Sequence, residues 1–234
     1  MRKIAIVTGC AKGIGREIAL NLAYSGYDIV ATYNTSQTEI KRLEEKMNNI
    51  GINFYPYKLD LTSKLEIDNF CDSIKSKFSK VDLLVNNAAL SLDNEFDLKT
   101  YDEFIDVLKV NLVGPFLLTK NLYKLMDNGV IINISSTDGI NTFSKFNIDY
   151  SASKAGLINL TKSLALALEN VRVYAICPNW VDTEAVREMN PEYLKSEMVR
   201  VGQIRLIEPC KVADKVLDII DSDIKSGSIV VMEG

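Results

Sequence analysis

The sequence predicts an α/β protein: a seven-stranded, mainly parallel sheet in a three-layer sandwich with helices on both faces. Three observations carry this. Short apolar runs alternate with helical patterns from end to end, as strand–helix–strand crossovers require. The strand candidates are largely continuous apolar runs, the mark of strands buried on both faces. No linker, repeat or low-complexity stretch interrupts them, so the 234 residues are read as one domain, 1–234.

In order, "KIAIV" is the first strand, and "IGREIALNLAYSG" follows as a helix with Ile14, Ile18 and Leu22 on one face and Gly26 at its end. "DIVATY" is the second strand. Ser36 and Glu39 have capping-box spacing before the helix "IKRLEEKM". "NFYPYKL" is the third strand, and Pro56, which lacks an N–H, places it at a sheet edge. Ser63 and Glu66 open a helix to about Phe78, and "VDLLVNN" is the fourth strand. Thr100 and Glu103 cap a long helix reaching about Met126, with a bend expected at Pro115. "GVIINISS" is the fifth strand, Tyr150 to Leu168 a helix, "VRVYAIC" the sixth strand, 211–221 a helix and "SIVVM" the last strand.

Composition excludes several classes. The chain is 47% apolar and 25% charged, average values for folded soluble proteins. Net charge is −4 with a pI near 5.1 and the lysines are dispersed, so no nucleic-acid surface is expected. Cys10, Cys71, Cys177 and Cys210 show no C-x-x-C spacing, and the chain has no histidine. No metal site is therefore expected, and a histidine-dependent hydrolase is excluded. The N-terminal apolar stretch, Ile4 to Val7, is about half the shortest signal core. No run of roughly 18 apolar residues exists to span a membrane. The chain is read as cytoplasmic.

In an open parallel sheet, ligands bind beyond the carboxyl ends of the strands, and the polar motifs cluster there. "TGCAKGIG" follows the first strand. Gly9, Gly13 and Gly15 let the backbone turn tightly and approach a pyrophosphate, with Ile14 opening the helix whose N-terminus suits the charge. The spacing G-x-x-x-G-x-G differs from the usual G-x-G-x-x-G. In "YSASKAG", Tyr150 and Lys154 share one helical face. An ordinary phenol, with a pKa of about 10, is useless for proton exchange near neutrality. An ammonium about 4.5 Å away, at an effective dielectric near 20, contributes roughly 3.7 kcal/mol and lowers the phenol by nearly three units. Tyr150 then becomes a general acid/base tuned by Lys154.

Thr-Gly-x-x-x-Gly-x-Gly, "NNAA" after strand four, Asn111 in the next helix, Ser136 after strand five, Tyr-x-x-x-Lys and the late "RLIEP" occur in one order along the whole chain. That set resembles the short-chain dehydrogenase/reductase family, and the likeness extends to its 3-oxoacyl-carrier-protein reductase-like members. The resemblance implies a Rossmann-type fold and an oxidoreductase that interconverts a carbonyl and a secondary alcohol by hydride transfer. It implies that Tyr150 is the general acid/base and that Lys154 also binds the nicotinamide ribose. Ser136 is the donor to the substrate oxygen, and Asn111 holds a water in a proton relay. Ser135 and Ser136 point to opposite faces, so only one can serve.

The cofactor contacts implied are Gly9, Lys12, Gly13, Ile14 and Gly15 at the phosphates, and Asp60 and Leu61 at the adenine. Asn87, Ala88 and Ala89 match the family's N-A-G, with Ala89 in place of glycine. "PNWVDT" resembles P-G-x-V-x-T, so Pro178, Val181 and Thr183 would receive the carboxamide. Asn179 replaces the glycine, which left-handed backbone angles tolerate. No acid lies from Thr32 to Ser36 to bind a ribose 2′-hydroxyl. Asn34, Thr35 and Ser36 with Lys12 suit a 2′-phosphate instead, so NADP(H) is expected rather than NAD(H).

A small-molecule carbonyl or alcohol is the expected substrate. Reduction of 3-oxoacyl groups on an acyl carrier protein is the alternative, because the links "MDNGV" and "LENV" are short and acidic where such a partner needs cations. A non-catalytic dinucleotide-binding protein is a further alternative, kept by Ala89, Asn179 and Tyr174. Residues 184–204 would form a substrate lid, in which Met189, Tyr193, Met198 and Val201 either line a pocket or pack on the body. The helix from Tyr150 is apolar nearly all round, which requires cover on both sides. A homo-oligomer is expected, a tetramer or a dimer.

Overall fold

The computed structural model describes residues 2–234. Seven parallel strands lie in the order β3-β2-β1-β4-β5-β6-β7. They are β1 (Ile4–Val7), β2 (Asp28–Tyr33), β3 (Phe54–Lys58), β4 (Leu83–Asn86), β5 (Gly129–Ile134), β6 (Val171–Pro178) and β7 (Ile229–Met232). Every pairing is parallel. The alternation of side chains along each strand divides the core in two. Ala5 and Val7 face one layer of helices, while Ile6 between them joins Val30, Leu84 and Ile131 on the other.

The first layer holds α1 (Gly13–Tyr24), α2 (Gln37–Ile50) and α9 (Pro209–Ile220). The second holds α3 (Lys64–Lys77), α5 (Gly114–Leu122) and α6 (Ile148–Ala167), with α4 (Tyr101–Leu108) leading into α5. Two short helices, α7 (Glu184–Arg187) and α8 (Pro191–Arg200), follow β6. Among the described residues no helix is long and apolar enough to cross a membrane.

Local chemistry explains most element ends. β3 is an edge strand, so Pro56 withholds no ladder bond on its open side. Thr100 and Glu103 form both bonds of a capping box at α4. Ser63 accepts from the Glu66 N–H at α3, but the Glu66 carboxylate reaches instead to the Asp60 N–H at 2.9 Å.

Other expectations need correction. Ser36 makes no side-chain cap at α2. Its φ of −84° and ψ of 62° make it the centre of an inverse γ-turn, closed by Gln37 N–H to the Thr35 carbonyl at 2.9 Å. The long helix is broken not by a bend at Pro115 but by a π turn over Lys109–Val113. Pro115 has no N–H to return to the Asn111 carbonyl, so the ordinary i+4 register cannot continue there.

Candidate active site

β1 and β4 are neighbours, but the chain leaves β1 toward β2 and leaves β4 toward β5. The crevice at this reversal of strand order is where α/β sheets bind ligands. Two adjoining cavities, about 660 and 580 Å³, open there and share Ile14, Asn87, Ala89, Leu90, Thr183 and Ala185 as their border.

The first cavity is built on the turn between β1 and α1. Gly9 and Gly13 have φ of 67° and 51°, the left-handed region that a side chain disfavours. A Cβ on Gly15 would collide with the Gly9 carbonyl and the Asn87 amide. Asn87 holds this turn, its Nδ2 donating to the Thr8 carbonyl at 2.9 Å, while the Thr8 hydroxyl accepts from the N–H groups of Asn87 and Ala88. Gly9, Lys12, Gly13, Ile14 and Gly15 line the cavity, as do Asn34, Thr35 and Ser36. Asp60, Leu61 and Ala88 line it too. A helix start of this kind suits an anionic group, and no carboxylate occurs among residues 32–36.

Glu184 also reaches this turn, accepting from the Gly13 N–H at 3.0 Å and from Arg16 at 2.5 Å. A carboxylate is favoured at a helix N-terminus. The residue follows Thr183 directly, so its position one step beyond the "PNWVDT" motif was the available signal.

The second cavity is lined by Ser136, Tyr150, Lys154, Pro178, Val181 and Thr183. Tyr150 and Lys154 lie one turn apart on α6, with Nζ 5.3 Å from the phenol ring centre. Lys154 is buried, and its Nζ donates to the Ile134 carbonyl at 2.8 Å. Burial pushes its pKa down to about 8, against the pull of Cys177 and Asp138. Tyr150 moves the opposite way from the sequence expectation. Burial, then the Asp138 carboxylate, push the phenol well above its usual range, and the Ser136 hydroxyl only partly opposes them. The i,i+4 argument counted the ammonium and left out desolvation by burial, the largest cause of the shift.

Ser135 and Ser136 divide as their alternation requires. The Ser135 hydroxyl is spent on the Lys154 carbonyl at 2.9 Å. Ser136 faces Tyr150, and its oxygen accepts from the Asp138 N–H at 3.1 Å. Asn111 lines neither cavity. It is buried at the π turn, where its side chain bonds both main-chain groups of Leu90 and the Ser153 hydroxyl. It therefore ties the border of the cleft to the residue before Lys154.

Asn179 needs no left-handed tolerance, because Asn128 is the one non-glycine with positive φ among the described residues. Its Oδ1 instead accepts from the Trp180 N–H at 3.0 Å. Tyr174 is core, its hydroxyl donating to the Ile224 carbonyl at 2.9 Å. Of the four lid residues considered, Met189 lines the reaction cavity, Tyr193 packs edge-on against Phe146, and Met198 faces a separate hollow. Val201 lines none of these. Trp180, Asp93 and Asp138 also line the reaction cavity. Sequence reasoning passed over them; for Asp138 the signal was an acid two residues beyond Ser136 at a strand end.

Residues 3–194 match the family model described as short chain dehydrogenase. The chain is 35% identical over 220 residues to a 3-oxoacyl-[acyl-carrier-protein] reductase of Aquifex aeolicus, covering 92% of this chain and 88% of that one. It is 35% identical over 231 residues to an acetoacetyl-CoA reductase of Rhizobium meliloti, covering 95% and 92%. A crystal structure of a short chain dehydrogenase from Burkholderia cenocepacia in complex with NADP superposes with a TM-score of 0.91 at 26% identity, over 99% of this chain and 96% of that one.

Proposed function

This chain belongs to the short-chain dehydrogenase family, and from that premise we propose how its residues perform NADP(H)-dependent interconversion of a carbonyl and a secondary alcohol. The observation that carries the proposal is the single cleft in which Ser136, Tyr150 and Lys154 adjoin the glycine turn of α1.

Bound in that cleft, NADPH supplies a hydride. The protein's task is to hold the carbonyl and neutralise the oxygen as charge develops on it. Ser136 already accepts the Asp138 N–H, so its own hydrogen is free to point at the substrate oxygen. Tyr150, kept protonated by burial, donates its phenolic proton to that oxygen. Lys154 is mostly ammonium at pH 7, given its pKa of about 8, and stabilises the phenolate left behind. Asn111 acts from behind, where its main-chain carbonyl is denied the Pro115 donor and can hold a relay water.

Lys12, Asn34, Thr35 and Ser36, all lining the first cavity, support NADPH over NADH. We expect kcat/KM with NADPH to exceed that with NADH by at least about tenfold, the yield of one charge-assisted contact or more. Steady-state rates with each cofactor check this, and the reverse ranking refutes it. The solved blue fluorescent protein that binds NADPH, 26% identical with a TM-score of 0.88, agrees in fold and cofactor.

For substrate we favour a small uncharged carbonyl. Asp93 and Asp138 stand on the wall of the reaction cavity beside apolar Leu90, Val186 and Met189. Exposed Asp127 and Glu169 stand on the two short links, where an acidic carrier would meet repulsion. Reduction of 3-oxoacyl thioesters is the second reading, favoured by the names of the relatives at 35% identity.

The whole chain acts as one catalytic unit, with residues 184–204 as its lid. Free Cys10, Cys71, Cys177 and Cys210 suit the reducing cytoplasm. A second copy covers the outer face of α6. The chain's own core covers more of that helix than its composition suggests, with Leu157 and Ile158 buried and Leu164 and Leu168 packed. Leu166, however, is 88% exposed, and Phe116 and Val113 of the neighbouring helix are also exposed. Light scattering should report a dimer or tetramer at micromolar concentration; a monomer would remove this part of the proposal.

A further inference from the structure

A buried ion pair stands beside Tyr150 and takes no part in the chemistry above. Lys99 Nζ lies 3.0 Å from Asp149 Oδ2, with 4% and 0% of their side chains exposed. The contact is imperfectly aligned, since that oxygen receives no hydrogen bond. A buried ion pair is weak evidence of stabilisation, because apolar side chains of similar volume often serve as well. Its purpose is better sought in what its two ends hold.

Each end is attached to one side of the reaction cavity. Lys99 also donates to the carbonyl of Leu92. That carbonyl sits in the segment whose Leu90, Ser91 and Asp93 line the cavity. Asp149 Oδ1 accepts the N–H of Tyr150 at 2.9 Å, in the first turn of α6. Residues 87–95 contain no helix or strand of their own, so their position depends on such ties. Other ties hold the same segment elsewhere: Asn111 bonds both main-chain groups of Leu90, and Asn94 N–H donates to the Phe146 carbonyl at 2.9 Å, with Phe146 packed on Tyr193 of α8.

We propose that Lys99 and Asp149 are positioning residues that lock the 90–99 segment to the start of α6, setting where a bound carbonyl lies relative to Tyr150. This rests on the reading of Tyr150 as proton donor. Neither residue touches the reacting atoms. Their effect is on the register between the wall that holds the substrate and the side chain that protonates it, where a displacement of about 1 Å can cost 10²-fold in rate.

The test uses Lys99→Met, Asp149→Leu and the double variant, with ethyl acetoacetate as probe. Each single change leaves a buried charge unpaired and should lower the melting temperature. The double variant should recover it, since an apolar pair replaces the ion pair. Despite that recovery, we expect its KM for ethyl acetoacetate to stay at least about tenfold raised. NADPH binding, read by nicotinamide fluorescence, should stay within about twofold of wild type. Amide hydrogen exchange within 90–98 should accelerate in the double variant while the central strands keep their protection.

A double variant with wild-type KM and unchanged exchange in 90–98 overturns the inference. So does one whose NADPH binding falls in step with KM, because the damage is then global. If the wild type proves inactive on the probe, the exchange measurement alone decides. Should Tyr150→Phe retain turnover, the functional reading fails instead, so the two failures are separable.

Discussion

Tyr150→Phe should lower kcat for NADPH-dependent carbonyl reduction by about 10³-fold, within the range a positioned general acid supplies. At 1.36 kcal/mol per decade this is about 4 kcal/mol of transition-state stabilisation. The change removes one hydroxyl from a cavity wall, and a single hydrogen bond is worth only about 1 kcal/mol to folding. Melting temperature and NADPH binding should therefore stay close to wild type while turnover collapses. Stopped assays of reduction across pH 6–9 provide the measurement; turnover surviving within about threefold sinks the assigned role.

The direction of the Tyr150 shift adds a sign. A phenol raised above its usual range is fully protonated through neutrality, the form that reduction needs. Alcohol oxidation needs the phenolate, so its rate should climb with pH where reduction stays level.

Lys154→Met should stabilise the fold while removing activity. Burial lowers this lysine from 10.5 to about 8. Between those values the unfolded chain binds the proton and the folded chain does not, so Lys154 makes stability rise with pH in that window. Below pH 8 both states are protonated, and the full penalty of the buried ammonium applies, about 3 kcal/mol from the size of the shift. Methionine removes that penalty but also the bond to the Ile134 carbonyl, which returns about 1 kcal/mol. The expected net gain at pH 7 is about 2 kcal/mol, shrinking as pH rises toward 10.5. Urea unfolding of both proteins at pH 7 and pH 9.5 reads the difference directly. A gain that grows with pH would contradict the buried charge. Loss of turnover by about 10²-fold or more should accompany the stabilisation, because the phenolate formed in each cycle loses its cation.

Parts of this molecule were legible without coordinates. Continuous apolar runs gave buried parallel strands, and Pro56 gave the sheet edge, because a missing N–H is tolerated only there. Thr100 and Glu103 gave a true capping box, since both of its bonds are local. Ser36 and Glu39 have the same spacing but no cap; a γ-turn, which no composition rule announces, takes the chain elsewhere. The motif residues of the glycine turn and of Tyr150 and Lys154 do meet at one cleft.

What needed the folded chain were quantities that depend on distant neighbours. The sequence by itself determined the order of elements, the strand edges and the chemical types gathered at the carboxyl ends, all consequences of periodicity and local hydrogen bonding. The tertiary structure alone decided that burial raises the phenol, and that Asp138 adds to it. It alone paired Lys99 with Asp149 and brought Glu184 to the N–H of Gly13. Desolvation and charge pairing are set by what surrounds an atom in space, and spacing along the chain carries no record of that.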